Sequence, residues 1–290
     1  MSSLWMLVAG AAFALMGVFI KLGAEIHSVG ELVFWRSIVL MAFAWAALAR
    51  SGSTIRTARF GMHAHRGIAG FVSLFLFYNA VMTLPLATAM TLSYSAPIFL
   101  VILLTVQARE RPGAKLAATV FVGFAGVALL LGPSIAADRP GPVLVGLASG
   151  ATAAIAYRNV RALAHVDEPE PRIIFYFGFW TFLGALVWMV PQPWHLPTPR
   201  SAMHLAGMGL MGAIGQVAMT RAYGQGAMLV SAALSYSAVV FSALIGIAVF
   251  DDRLPPVAWL GIALIVAAGV AAVQLRPARR EDAAAPMVND

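Results

Sequence analysis

Cysteine is absent from the 290 residues, which removes disulfides, thiol chemistry and cysteine metal sites. Charge is scarce too: Asp, Glu, Lys and Arg make up only 11% of the chain, against 61% hydrophobic residues and a mean hydropathy of +0.85. A soluble domain of that composition would have to expose large apolar surfaces. The polar stretches at 50–66, 164–172 and 276–290 are each too short to enclose a core of their own. No G-x-x-x-x-G-K-[ST] phosphate loop occurs, so any ATP motor would have to be a separate subunit. There is also no H-E-x-x-H and no other constellation of acid, base and metal ligands. Neither catalytic residues, nor a metal, nor a cofactor are therefore expected, and the chain is not read as an enzyme. His63-Ala64-His65 has the spacing of a metal pair but no further ligands nearby, so it reads as part of a solvated basic loop.

What is present is apolar length. Residues 67–108 hold no Asp, Glu, Lys or Arg, and only the turn-like Thr83-Leu84-Pro85-Leu86-Ala87 interrupts them. A membrane helix needs roughly 20 apolar residues to cross ~30 Å of hydrocarbon, so this run is two spans and a tight turn. Dividing the whole chain at charge clusters and Pro/Gly turns predicts ten spans, near 3–21, 30–49, 67–84, 88–107, 115–132, 142–161, 173–190, 203–221, 229–250 and 256–275. The runs are continuously apolar rather than alternating, so they are helices and not barrel strands. The fold class is an all-α integral membrane protein. The opening Met1-Ser2-Ser3-Leu4-Trp5 lacks a positive n-region, so the first span is read as retained rather than cleaved. The pI near 10.4 is assigned to membrane orientation and not to nucleic acid.

The chain also repeats itself. Leu92-Ser93-Tyr94-Ser95-Ala96 recurs as Leu234-Ser235-Tyr236-Ser237-Ala238, and at the same offset Arg109-Glu110-Arg111 meets Asp251-Asp252-Arg253. Two related halves of five spans each follow, at 1–137 and 138–276, with 277–290 as a disordered cytoplasmic tail. Because five is odd, the second copy must cross the membrane upside down relative to the first. Basic residues support this. With the amino terminus cytoplasmic, fourteen Lys and Arg fall in inside loops and four outside, leaving only Arg36 within a span. All five pairs of corresponding loops lean the same way, as the positive-inside bias requires. Both termini are expected on the cytoplasmic side.

Several residues then carry a resemblance: Phe34-Trp35-Arg36 near the start of span 2, Asn79-Ala80 followed by Pro85-Leu86-Ala87-Thr88-Ala89-Met90 at the third hairpin, and Pro97 in span 4. Together with the charged close of each fourth repeat span, they resemble the EamA-like branch of the drug/metabolite transporter superfamily, over roughly 4–275. The resemblance implies two inverted five-helix repeats around a central cavity lined by spans 1–4 and 6–9, with spans 5 and 10 outside it. It also implies a multi-pass protein of the bacterial inner membrane. Length and aromatic content are most similar to amino acid exporters, including those for aromatic amino acids. The expected partners are the lipid bilayer and a small-molecule substrate, and a single copy suffices for the cavity.

Chemistry nominates the lining. Polar groups in hydrocarbon are expensive and turn toward protein or water. Pro97 cannot donate to the carbonyl of Ser93 and is expected to kink span 4, with Pro85 in the adjoining turn as a second compliant point. Tyr94 and its repeat partner Tyr236 either line a ligand or belong to small-residue packing. Tyr78, Asn79 and Met82 offer a ring, an amide and a thioether on one helix, although Asn79 would equally serve a helix contact. Trp35, Tyr176 and Trp180 are cavity aromatics or interfacial anchors. Arg36 attracts a substrate carboxylate, snorkels outward or pairs with Glu31. Gln216 is a further candidate within a glycine-rich helix. No Asp or Glu falls mid-span, which argues against a buried-carboxylate proton couple. The alternative functions are import of a nucleoside-like or S-adenosyl metabolite, export of another hydrophobic solute, or a non-transport role as an intramembrane enzyme or scaffold.

Overall fold

The computed structural model describes residues 2–83, 86–107, 113–132, 140–250 and 254–275. A short turn at Ser2–Leu4 leads into α1 (Trp5–Gly23), followed by α2 (Val29–Arg50), α3 (Phe60–Thr83), α4 (Leu86–Ser93), α5 (Ala96–Gln107) and α6 (Ala114–Leu131). The second half holds α7 (Pro140–His165), α8 (Glu170–Met189), α9 (Pro199–Gln225), α10 (Met228–Ser235), α11 (Ser237–Phe250) and α12 (Pro256–Gln274). Helices α4 and α5 are one passage broken at Tyr94–Ser95, and α10 and α11 are one passage broken at Tyr236. Twelve helical segments thus make ten passages, with no strand among the described residues. Eight stretches are long and apolar enough to cross a membrane by themselves, and Met90–Val106 is a shorter apolar helix.

Local chemistry sets several boundaries. Ser28 caps α2 through a capping box with Glu31, and Thr198 caps α9 the same way with Ser201. Pro199 and Pro256 occupy the first helical positions of α9 and α12, where the missing N–H costs nothing. Gly132 closes α6 in the left-handed region at φ 54°, which a residue with a Cβ adopts only under strain.

The two halves pack reciprocally. Helix α1, the first passage, lies along α9, the eighth, while α3, the third, lies along α7, the sixth. The second passage packs on the seventh, α2 on α8, and the fifth on the tenth, α6 on α12. Each contact therefore maps onto itself or its mate when the halves are exchanged, the signature of a two-fold interface. Glycines permit the close crossings. A Cβ on Gly126 would sit 2.7 Å from the carbonyl oxygen of Gly261, and one on Gly261 would sit 2.6 Å from that of Gly126. Small residues replace apolar burial as the means of helix association in lipid, where backbone proximity supplies dispersion.

Two expectations change. The charge cluster at 50–66 is not all loop, because α3 begins at Phe60, so Arg66 sits within the helix and is only 2% exposed. Charge ends a hydropathy run, but a helix stops only where its backbone does. Likewise His63 is not solvated: it is fully buried, with Nε2 3.5 Å from Glu168 and its ring 4.5 Å from that of Tyr176. Pro85 and the tail at 277–290 lie outside the described residues, as does the Met82 side chain.

Candidate functional site

Between the halves lies a cavity of about 200 Å³ with walls from α1, α2, α3, α4, α7, α8 and α9. A second lobe of about 350 Å³ shares Phe13, Phe77, Ser93, Tyr157 and Met219 with it and extends along α1 to the breaks at α4–α5 and α10–α11. Neither lobe draws a lining residue from α6 or α12. The fifth and tenth passages stand outside, clamped to each other by Gly126 and Gly261.

The smaller lobe is polar on one wall. Arg36, from α2, is 9% exposed, and Arg66, from α3, is 2% exposed. Both guanidiniums lie over the ring of Phe177, with Cζ at 5.9 Å and 4.2 Å from its centroid. Neither arginine makes a hydrogen bond or ion pair among the described residues, and the Nε of each is buried without a partner. Two glycines make room for them. A Cβ on Gly70 would meet a terminal nitrogen of Arg66 at 2.6 Å, and one on Gly212 would meet the Arg36 Nε at 3.2 Å. The Gln216 amide donates a long bond of 3.4 Å to Thr220, and Ser73 donates to the carbonyl of Ser149 across to α7. Tyr157 stacks on Tyr223 with centroids 4.7 Å apart and planes 14° apart. Such a cavity offers cations, an amide, hydroxyls and aromatic faces, and none of the described carboxylates lines it.

Those carboxylates lie at the two ends of the bundle. Glu31, at the start of α2, accepts from the backbone N–H groups of Ser28 (2.7 Å) and His195, and its Oε2 is 3.2 Å from His195 Nδ1. His27 stands 3.8 Å from the same carboxylate and bonds Ser201 at 3.0 Å. The expected Glu31–Arg36 alternative is thus replaced by a tie between the α1–α2 turn and the segment before α9. At the other end, Glu168 precedes α8 and accepts from Thr57, while Arg172 holds it at 2.8 Å. Burial opposes its ionisation, but the Thr57 bond and the Arg172 guanidinium outweigh that and hold its carboxyl below the usual carboxylate range. The two clusters are mates: in each, a carboxylate beside the second passage of one half is held by the segment leading into the third passage of the other.

The sequence-nominated residues scatter. Arg36 and Gln216 line the smaller lobe, while Tyr94 and Pro97 line the larger one. Tyr236 is fully buried and lies against Gly123 of α6, where an added Cβ would meet its ring at 2.6 Å. Tyr78 packs beside Trp188 with centroids 6.0 Å apart, and Asn79 bonds back to the carbonyl of Phe75 in its own helix. Trp35 joins Leu32, Leu205 and Met208 in an α1–α2–α9 cluster. Tyr176 donates to the carbonyl of Ile55 at the Glu168 end. Trp180 covers Gly67 and lines an outward apolar crevice with Phe71. The sequence reading passed over Arg66, Phe13, Tyr157 and Phe177. The signal for Arg66 was available: it stands one turn before Gly70 on a face that continues through Ser73 and Phe77.

Comparison with known proteins shows what the chain is similar to. Residues 1–132 match the EamA-like transporter family. An uncharacterized transporter of Helicobacter pylori is 27% identical over 273 residues, spanning 91% of each chain. The pseudopaline exporter CntI of Pseudomonas aeruginosa is 26% identical over 81% of this chain and 83% of its own. A crystal structure superposes with a TM-score of 0.84 over 94% of this chain and 96% of that one, at 19% identity, and so shares the fold. Ten helical passages around a shared cavity, a first half that matches the EamA-like transporter family, and transporter relatives over most of its length make the chain a membrane-embedded small-molecule transporter that is similar to that family.

Proposed function

We propose that this protein is a secondary carrier that exports carboxylate-bearing metabolites, amino acids including aromatic ones among them, by alternating access. The observation that carries this reading is the central cavity between the halves, with guanidiniums on one wall and aromatic rings on the others. A carboxylate is the natural partner of a buried arginine, and ring faces suit an apolar or aromatic body. Residues 1–137 and 138–276 act as inverted repeats whose rocking opens the cavity to one side at a time. Both termini lie in the cytoplasm of a bacterial inner-membrane protein, which puts the Glu31 cluster outside and the Glu168 cluster inside. One copy forms the whole pathway.

No described carboxylate lines the cavity, so the carrier works without a buried acid that trades protons for substrate, and the solute gradient sets its direction. Two cations in the wall disfavour a net cationic cargo, which sets amino acids and acids ahead of an S-adenosyl metabolite. Purified protein in liposomes, preloaded with phenylalanine, tryptophan, threonine or methionine, is expected to support counterflow of the labelled solute. Ala153→Trp, which fills the cavity, is expected to stop it while leaving a folded protein. Flux that required a pH gradient would defeat the uncoupled mechanism, and flux untouched by Ala153→Trp would defeat the assigned cavity.

A further inference from the structure

We infer that the preferred cargo carries two carboxylates, gripped by Arg36 and Arg66 together; this rests on the carrier reading above and narrows its substrate class. The two guanidinium carbons face one ring, Phe177, at 5.9 Å and 4.2 Å, so they lie within about 10 Å of each other, a gap that one small molecule bridges. Both side chains are more than nine-tenths buried, and both lack a hydrogen-bond or ion-pair partner among the described residues.

Like charges at that separation, away from bulk water, repel each other and have lost hydration that the shared face of Phe177 returns only in part. Burying one cation unpaired is unfavourable, and burying two in one cavity is more so. Two half-buried arginines elsewhere show the contrast. Arg172 has Glu168, and Arg221 has Glu170 at 2.9 Å, with its guanidinium also 4.9 Å from the Trp5 ring. In the cavity wall, by contrast, two arginines converge on one ring without an acid. One carboxylate balances one of them, whereas a diacid balances both.

The wall is built for these heads rather than merely tolerant of them. Gly70 stands where a side chain would displace the Arg66 head, Gly212 stands where one would crowd Arg36, and Phe177 supplies a ring face that both share. The neighbouring lobe, lined by Phe13, Tyr94 and Tyr157, receives the uncharged body of the solute. A dicarboxylic molecule with an aromatic or aliphatic substituent is therefore the class that satisfies both lobes.

The test uses the full chain in detergent, where binding is read by calorimetry and thermal shift without any need for transport. Benzylsuccinate, its monoamide and inorganic phosphate serve as probes, since the monoamide keeps the size of the diacid with one charge fewer. The diacid is expected to bind about tenfold or more tightly than the monoamide, the scale of one buried charge-assisted contact. Arg36→Gln and Arg66→Gln are each expected to erase that preference and to raise the melting temperature of the empty protein, because each removes an uncompensated charge. Gly70→Ala, which displaces the Arg66 head but keeps its charge, is expected to reduce the preference, and it serves in place of Arg66→Gln if that variant does not fold. Equal binding of diacid and monoamide, a preference that survives Arg36→Gln, or tighter binding of phosphate than of diacid overturns the inference. Amino acid counterflow in liposomes is scored separately: its presence alongside equal diacid and monoamide binding defeats the two-anion site alone, while its absence alongside diacid preference defeats amino acid cargo alone.

Discussion

Leu92–Ala96 and Leu234–Ala238 are the same five residues, and both break their helix at the tyrosine, yet one ring packs at the edge of the core that encloses the other. Tyr94 looks into the cavity, whereas Tyr236 is fully buried against Gly123 in the core formed with α6 and α12. The seats are alike. Gly150 of α7 lies over Ser95 and Ala96, and Gly10 of α1 lies over Ser237 and Ala238, so each half's motif is received by a glycine from the first helix of the other half. What differs is the neighbour beyond the seat. Identical sequence and pseudo-symmetric packing therefore fix the break and its depth, but not whether a side chain faces solute or protein.

The break also does not need proline. Pro97 follows the first motif and Val239 the second, and the chain interrupts its helix in both. Serine hydroxyls turned back onto carbonyls, Ser95 onto Leu92 and Ser235 onto Ala232, compete with helical bonding at each site. The opposing glycines supply the close packing that a continuous helix would lose.

This contrast can be broken most severely in the core. Tyr236→Ala is expected to cost roughly 3–5 kcal/mol, as for other large-to-small aromatic changes in packed interiors, and to be seen as a lower melting temperature and poor yield in detergent. An equal loss from Tyr94→Ala would erase the distinction between the two copies. Gly10→Leu and Gly150→Leu should come next, each costing about 1–3 kcal/mol by overpacking a seat whose nearest atoms stand within 3 Å of an added Cβ. If only one of them destabilises, the reciprocity of the two seats fails. Tyr94→Ala is expected to leave the fold intact and lower counterflow about threefold to tenfold, the scale of one aromatic contact with the solute.

Smaller effects sharpen the comparison. Pro97→Ala is expected to change stability by less than about 1 kcal/mol and to preserve the break, because Val239 shows that the tertiary seat suffices. Spin labels flanking the break would show unchanged spacing, and a straightened helix would refute this. At the Glu168 end, the folded-state carboxyl is held below its ordinary range, so its stabilising contribution is present at neutral pH and is lost as pH falls through that lowered value. Glu168→Gln should remove this part of the acid sensitivity, on the order of 1 kcal/mol, in melting curves taken across the acidic range.

Hydropathy and charge clusters reached the ten passages because each depends only on local composition: lipid demands length without charge. They failed at Arg66 for the same reason. Counted as a loop charge, it belongs to α3, and moving it into the helix leaves the second–third loop with three basic residues against one in its counterpart, so the bias is unchanged. Arg36 was legible as an intramembrane cation, but its fellow was not, because nothing local says which face of α3 turns inward. The aromatic candidates divided on similar grounds. Tyr78, Trp35 and Trp180 have the chemistry of a ligand wall, and neighbouring aromatic rings, apolar side chains or a glycine cover them.

The sequence by itself determined how many times this chain crosses the bilayer, the duplicated Ser-Tyr-Ser-Ala motifs and the absence of acid from the middle of the spans, since these are properties of segments judged one at a time. Only the tertiary structure decided which polar side chains meet. The convergence of Arg36 and Arg66 over Phe177, and the different fates of Tyr94 and Tyr236, depend on the rotation of each helix against partners from the other half, and that rotation is set by glycine seats distant in sequence from the groups they position.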